Sequence, residues 1–174
     1  MKNFSGNILF LDRSDINTDE IIPARYLTEA TKAALKPYCL EDLRLEGFDA
    51  KRDVPGKNVI VTRANFGCGS SREHAAWTLE CNDITLVIAT NFARIFRQNM
   101  FNCGLIAATL SPEQVDEIFA EFSAGPAHCE TDFEKGIITI TGSGKSREYS
   151  FEISGFDRKL VSAGGWLAYA DSNY

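Results

Sequence analysis

Two runs of the chain, Asn58-Val59-Ile60-Val61-Thr62 and Ile84-Thr85-Leu86-Val87-Ile88-Ala89, are apolar almost without alternation. A strand with one face in water alternates polar and apolar residues, whereas a strand covered on both faces does not. Each run precedes a stretch that reads as a helix, from about Ser71 to Cys81 after the first and from about Ala93 to Asn99 after the second. Strands that alternate with helices point to a largely parallel sheet, and here to a single α/β domain spanning residues 1–174.

The remaining elements follow the same logic. Ile8–Leu11 reads as a first strand, followed by a polar loop from Asp12 to Asp19. Pro23-Ala24-Arg25-Tyr26-Leu27 leads into a helical segment, interrupted near Pro37 and resuming through Glu41-Asp42-Leu43. A strand is expected over Leu105–Leu110. Ser111-Pro112-Glu113-Gln114 then matches a helix start, with a capping serine and proline in the first turn. Ile137–Thr141 and Glu148–Ile153 read as a hairpin joined through Gly142-Ser143-Gly144-Lys145. A last helix begins near Phe156-Asp157 and is broken at Gly164-Gly165.

Composition removes several functions. With 18 basic and 24 acidic residues the net charge is −6, which argues against a nucleic-acid binder. No segment approaches the roughly 18 apolar residues of a membrane span. Met1–Gly6 lacks the apolar stretch of a secretory signal, so a cytoplasmic location is expected. The five cysteines, Cys39, Cys68, Cys81, Cys103 and Cys129, are odd in number and widely spaced, with no CxxC pair. That pattern fits neither a disulfide framework nor a zinc ribbon. With only His74 and His128 to assist, no metal site is expected on this chain, and any metal chemistry would place the ion on another.

The segment with the most chemistry is Asn65-Phe66-Gly67-Cys68-Gly69-Ser70-Ser71-Arg72-Glu73-His74, which joins a buried strand to a helix. Backbone N–H groups and the helix dipole favour an anion at such a junction. Gly67 and Gly69 permit close backbone approach, and Ser70 or Ser71 can cap the helix. Arg72 in the first turn opposes the dipole unless something negative lies near, which points to a bound carboxylate or phosphate. The plainer reading is a capping serine pair with a surface arginine. A dinucleotide site does not fit, because the third glycine is missing and no acid stands near Asn91. A G-x-S-x-G nucleophile turn is absent. His74 reads as a structural hydrogen-bonding residue, and Gly144-Lys145-Ser146 as part of a hairpin turn rather than a phosphate loop. Asp15–Leu27 reads as a solvated loop entering a helix, of the kind that often carries function. Arg94 and Arg97 offer a third anion contact, with a solvated helix face or local ion pairs as the plainer explanation.

Three segments carry a family likeness: Asn17-Thr18-Asp19-x-Ile21-Ile22-Pro23-Ala24-Arg25-Tyr26-Leu27, Asn65 through Ala75, and Phe92-Ala93-Arg94-Ile95-Phe96. Together they resemble the small subunits of 3-isopropylmalate dehydratases, the separate-chain form of the swivel domain in the aconitase superfamily. The resemblance implies a three-layer β/β/α swivel domain with a largely parallel central sheet. It implies a heterodimer, or higher assembly, with a large subunit that holds a 4Fe–4S cluster, and a small hydroxy-dicarboxylate substrate. It implies isomerisation of 2- and 3-isopropylmalate by dehydration and rehydration in leucine biosynthesis, with Ser70 as the base for the carbon-bound proton. Ser71 and Arg72 are then expected to contact substrate carboxylate. In relatives that act on an additional carboxylate an arginine follows the Tyr-Leu pair, whereas Thr28 stands here, so an uncharged substituent is expected. Arg25 is a neighbouring cation able to substitute, and it joins Thr28 as an expected substrate contact. Two alternatives stay open: a subunit of a related hydro-lyase (homoaconitase, aconitase or a methylmalate or dimethylmalate dehydratase), and a non-catalytic carboxylate-binding module.

Overall fold

In the computed structural model, which describes residues 1–174, seven strands form one sheet. They are β1 (Gly6–Phe10), β2 (Val59–Val61), β3 (Leu86–Ala89), β4 (Ile106–Thr109), β5 (Ala127–Asp132), β6 (Ile137–Gly142) and β7 (Lys145–Ser150). Their order across the sheet is β4-β3-β2-β1-β5-β6-β7. The first four are parallel, with Ile8 opposite Val59, Val59 opposite Leu86 and Leu86 opposite Ile106. The last three continue the sheet antiparallel.

The two unalternating runs occupy the expected places. Val59, Ile60 and Val61 on β2 and Leu86, Val87 and Ile88 on β3 are wholly removed from solvent. Each such side chain contributes about 1.5–3 kcal/mol of hydrophobic stabilisation, before the conformational entropy that opposes folding. The helices are α1 (Thr18–Ile21), α2 (Ala50–Asp53), α3 (Glu73–Cys81), α4 (Arg94–Asn102), α5 (Pro112–Phe122), α6 (Gly155–Ala163) and α7 (Trp166–Asn173). The helices α3 and α4 follow β2 and β3 and pack against each other, as the usual right-handed crossovers of a parallel sheet place them on one face. The helix α5 carries the chain back from the β4 edge towards β5. It begins with a reciprocal cap: the Gln114 amide donates to Ser111 Oγ, and the Ser111 amide donates to Gln114 Oε1.

Four local features depart from the sequence reading. Strand β5 was not expected. Its sequence, AHCETD, has no β-branched run, and only Ala127 and Cys129 face the core. The hairpin turn is shorter than expected, because Gly142 already pairs with Lys145. Ser143 and Gly144 both have positive φ, +51° and +72°, as a two-residue primed turn requires. Its second strand therefore ends at Ser150 rather than Ile153. Residues 24–26 and 33–38 form only 3-10 turns, and Glu41–Leu43 does not resume a helix. Finally, α3 begins at Glu73, so Arg72 is its extended N-cap residue rather than a member of its first turn.

Because β1, β2 and β3 run parallel, the loops that leave them emerge along one edge of the sheet. Two isolated parallel bridges, Asn17 to Cys68 and Phe66 to Phe92, tie these three loops together beyond the strand ends. Ligands of open α/β sheets collect at this carboxyl edge.

Candidate functional site

The loop after β2 is fixed by backbone bonds to the loop after β1. The Gly67 amide donates to Ile16 O at 2.8 Å, and the Thr18 amide donates to Cys68 O at 2.8 Å. The hydroxyl of Thr18, a buried residue, donates to the carbonyl of Ser70 at 2.7 Å. Gly67 lies directly against α4. A Cβ there, at φ +83°, would stand 2.2 Å from Cγ of Phe96. The loop thus holds the Ser70 and Ser71 backbone in place while both residues stay exposed.

Neither serine caps α3, contrary to expectation; no side chain does. The open N–H groups of its first turn are left free for an anion. Arg72 has a side chain only 15% exposed, and its Nη1 donates to Asp19 Oδ1 at 3.1 Å and to Ile22 O at 3.3 Å. These bonds use one guanidinium nitrogen and leave Nε and Nη2, the edge that grips a carboxylate bidentately. Asp19 Oδ1 also accepts from the Ala24 amide at 2.9 Å. The Arg72 guanidinium first, and the Ala24 amide second, hold the Asp19 carboxyl below the usual carboxylate range.

Between these groups lies a cleft of about 260 Å³, lined by Thr18, Gly67, Gly69, Ser71 and Arg72 together with Ala93 to Phe96. Larger clefts exist, about 520 Å³ beside Phe48 and Phe119, about 570 Å³ beside Lys36 and Lys51, about 650 Å³ beside Arg158 and Tyr169 and about 270 Å³ beside Trp77 and Trp166, but none includes any residue of the Gly67–Arg72 loop. The chemistry of the lining, not its size, singles out the one at the loop. Arg94, at the start of α4, lines this cleft, is exposed and makes no ion pair. Of the roles expected for it, the local ion pair is not formed, and its exposure agrees with the solvated helix face. Arg97 is exposed and lies outside the cleft.

The structure does not bring every expected contact into this cleft. Ser70 is not among the lining residues; its carbonyl accepts the Thr18 hydroxyl, and its neighbours Gly69 and Ser71 do line the cleft. Thr28 is exposed on the turn after Tyr26 and does not line it. Arg25 is held elsewhere: Nη1 and Nη2 donate to Asp42 at 2.8 and 2.9 Å, Nη2 donates to Glu41 at 3.0 Å, and the guanidinium lies 4.8 Å from the Tyr26 ring centre. His74 makes no side-chain hydrogen bond and instead packs its ring 4.6 Å from that of Trp77. Sequence reasoning placed Thr18 and Asp19 in a family-like segment but gave neither a role in the site. Asn17 caps α1 in a reciprocal box with Glu20, and that capping pattern was the available signal that the next two residues are fixed in space.

The cysteines do not fit an iron–sulfur cluster. Cys39, Cys103 and Cys129 are buried, and burial pushes their thiols up to about 12, 11 and 11, away from the thiolate form that binds iron. No three His, Cys, Asp or Glu side chains are grouped to hold a metal ion.

Comparison with known proteins gives a consistent set of likenesses. The Aconitase C-terminal domain family matches residues 5–113. The "3-isopropylmalate dehydratase small subunit" of Deinococcus deserti is 43% identical over 157 residues, covering 90% of this chain and 81% of the relative. The "3-isopropylmalate dehydratase small subunit 2" of Deinococcus radiodurans is 42% identical over 158 residues, covering 90% of this chain and 71% of the relative. The crystal structure of 3-isopropylmalate dehydratase (leuD) from Methanocaldococcus jannaschii superposes with a TM-score of 0.79 at 33% identity, covering 98% of this chain and 94% of that one.

Proposed function

This chain belongs to the 3-isopropylmalate dehydratase small-subunit family, within the aconitase C-terminal-domain group, and from that membership we propose how its own residues take part in the reaction. The chain is a hydro-lyase subunit of leucine biosynthesis, and the assembled enzyme interconverts 2- and 3-isopropylmalate by removing and re-adding water. Residues 1–174 act as one swivel domain. The large subunit supplies the 4Fe–4S cluster, whose chemistry when bound is Lewis-acid assistance to loss of the substrate hydroxyl. A cytoplasmic setting, where thiols stay reduced, suits five unpaired cysteines. No helix is long and apolar enough to cross a membrane.

On this chain, Ser70 Oγ takes the proton from the carbon next to the departing hydroxyl and later returns a proton to the alkene diacid. A serine hydroxyl is a weak base, so its alkoxide needs fixed positive potential. The uncapped first turn of α3 and the guanidinium of Arg72 provide it. Ser71 and the free Nε/Nη2 edge of Arg72 hold one substrate carboxylate. The observation that carries this reading is Arg72 itself, anchored at Nη1 by Asp19 with its gripping edge left over, in the cleft that Ser71, the neighbour of Ser70, lines.

Substrate choice follows from Arg25. Its guanidinium is already paired with Asp42 and Glu41, so a third carboxylate beside Thr28 would have to compete with two carboxylates of the chain itself. An uncharged isopropyl group suits that position. Thr28 reaches it only in the assembled enzyme, since it lies outside the cleft of the chain by itself.

The test is Ser70→Ala in complex with the cluster-loaded large subunit. We expect kcat to fall by about a thousandfold or more, with melting and subunit association unchanged. Full activity of that complex would remove Ser70 from the chemistry. A substrate panel decides the rival reading: a kcat/KM that favours homoaconitate or methylmalate over isopropylmalate assigns the subunit to a related hydro-lyase.

A further inference from the structure

We propose that the large subunit docks on a continuous face running from the site cleft along α4 to α7, with Trp166 and Leu167 as its apolar anchors; this rests on the function assigned above. Both side chains stand in water, Trp166 at 44% and Leu167 at 77% exposure, at the start of the last helix. They line a second cleft of about 270 Å³ together with Trp77 of α3 and Asn99 and Asn102 of α4. Large exposed apolar side chains beside a cleft mark an interaction surface, and tryptophan is over-represented among residues that dominate binding.

Two observations tie this face to the site. Ile95, 56% exposed, lines the site cleft, while Asn99 and Asn102 line the second one. The three are spaced i, i+4 and i+7, which places them on one stripe of α4. That stripe spans about 10 Å, at 1.5 Å of rise per residue. A standard interface buries roughly 800 Å² on each partner, a patch more than twice as wide. This chain's cysteines do not fit the cluster, so the subunit that completes the site has to close over its cleft, and Ile95 stands in that cleft. A partner seated there with an ordinary footprint extends across the stripe to Trp166 and Leu167.

The far end of the face is also held in position before binding. Lys2 Nζ donates to Cys103 O at 2.7 Å and to Gly164 O at 3.3 Å, pinning the turn ahead of α7 to the end of α4. A Cβ on Gly165 would stand 2.7 Å from Asn102 O, so the two backbones pack directly. Pre-ordered anchors spare a complex part of its entropic cost.

The experiment titrates the full chain with the cluster-loaded large subunit by calorimetry and measures turnover at saturation. Leu167→Glu is expected to raise Kd by about tenfold or more, with kcat at saturating large subunit equal to wild type. Glu148→Lys, on β7 away from this face, is expected to leave Kd unchanged. At 77% exposure Leu167 carries little of the fold, and circular dichroism of the free Leu167→Glu chain checks that. A wild-type Kd for Leu167→Glu overturns the proposal. So does a free chain that self-associates through Leu167, losing its dimer in the variant while the Kd for the large subunit stays the same. A wild-type pair that shows the expected Kd pattern but leaves isopropylmalate unconverted supports the docking face and removes the assigned activity. No association of the wild-type pair overturns both.

Discussion

Arg72 donates Nη1 to Asp19 Oδ1 at 3.1 Å, and the same oxygen accepts the Ala24 amide at 2.9 Å, so one carboxylate oxygen joins the Ser-Ser-Arg loop to the 3-10 turn at residues 24–26. In the reading proposed above, Asp19 positions Arg72 rather than touching the substrate. It sets the direction in which Arg72 presents its remaining edge.

Asp19→Asn keeps an acceptor for Ala24 but removes the charge that orients Arg72. We expect kcat/KM for isopropylmalate to fall by about tenfold, mostly through KM, since one charge-assisted hydrogen bond is worth about 1.5–3 kcal/mol. The Asp19 side chain is 58% exposed, so the change in folding stability should stay within about 1 kcal/mol. The pH dependence separates this role from an acid–base one. Because the folded carboxyl sits below its ordinary value of about 3.9, the tie to Arg72 is lost only as the pH falls through that lowered value. The wild-type and Asp19→Asn enzymes should therefore show the same acid limb of kcat/KM above about pH 4. An acid limb that disappears in the variant would make Asp19 a proton-transfer group.

Gly67 and Gly69 look alike in the sequence, and the structure separates them. A Cβ on Gly67 meets Phe96 at 2.2 Å, whereas one on Gly69 finds Asn17 Cβ no nearer than 3.5 Å. Gly67→Ala should destabilise the chain by about 2–4 kcal/mol, through overpacking against a buried ring added to backbone strain. Gly69→Ala should cost about 1–2 kcal/mol, from its positive φ alone. Urea unfolding of both variants tests the order, and equal costs would mean that the Phe96 contact does not constrain the loop.

What could be read from the chain beforehand divides along physical lines. The parallel half of the sheet was legible because Val59–Val61 and Leu86–Ala89 have to be covered on both faces, a demand written into consecutive residues. Strand β5 was not, because its partners supply the pairing: six residues of β6 align with Ala127–Asp132, and only two of its own face inward. The loop of Gly67 to Arg72 was legible as a junction between a buried strand and a helix start, since strand, glycines and helix are adjacent in sequence. The tie of Arg72 to Asp19 spans 53 residues, and no local pattern announces such a contact. The engagement of Arg25 by Asp42 was hidden for the same reason.

The thiols offer an independent check on where the cluster resides. Burial raises the Cys39, Cys103 and Cys129 thiols to about 12, 11 and 11, so at pH 8 they are buried and protonated. Brief treatment of the folded chain with iodoacetamide should add at most two carbamidomethyl groups, on the partly exposed Cys68 and Cys81, while the unfolded chain takes five. Intact mass measures both. Incubating the isolated chain with iron and sulfide should leave no cluster absorbance, and a cluster formed on this chain alone would contradict the assignment of that cofactor to the large subunit.

Tyr149 on β7 gives a stability prediction far from the site. Its ring is buried and its hydroxyl donates to Glu117 Oε1 on α5 at 2.5 Å. Burial first, and the neighbouring carboxylate second, push the phenol well above its ordinary value of about 10. The folded chain therefore keeps a proton that the unfolded chain gives up. This contribution is fully present below about pH 10 and is lost progressively as the pH rises towards the raised value. Tyr149→Phe should cost about 1 kcal/mol at pH 8, where it removes one hydrogen bond. Urea unfolding of the two chains should give a stability difference that is constant between pH 7 and about 9.5 and shrinks above it. A difference that stays constant to pH 11 would mean that the phenol titrates alike in the folded and unfolded chains, and that the Glu117 contact does not hold its proton.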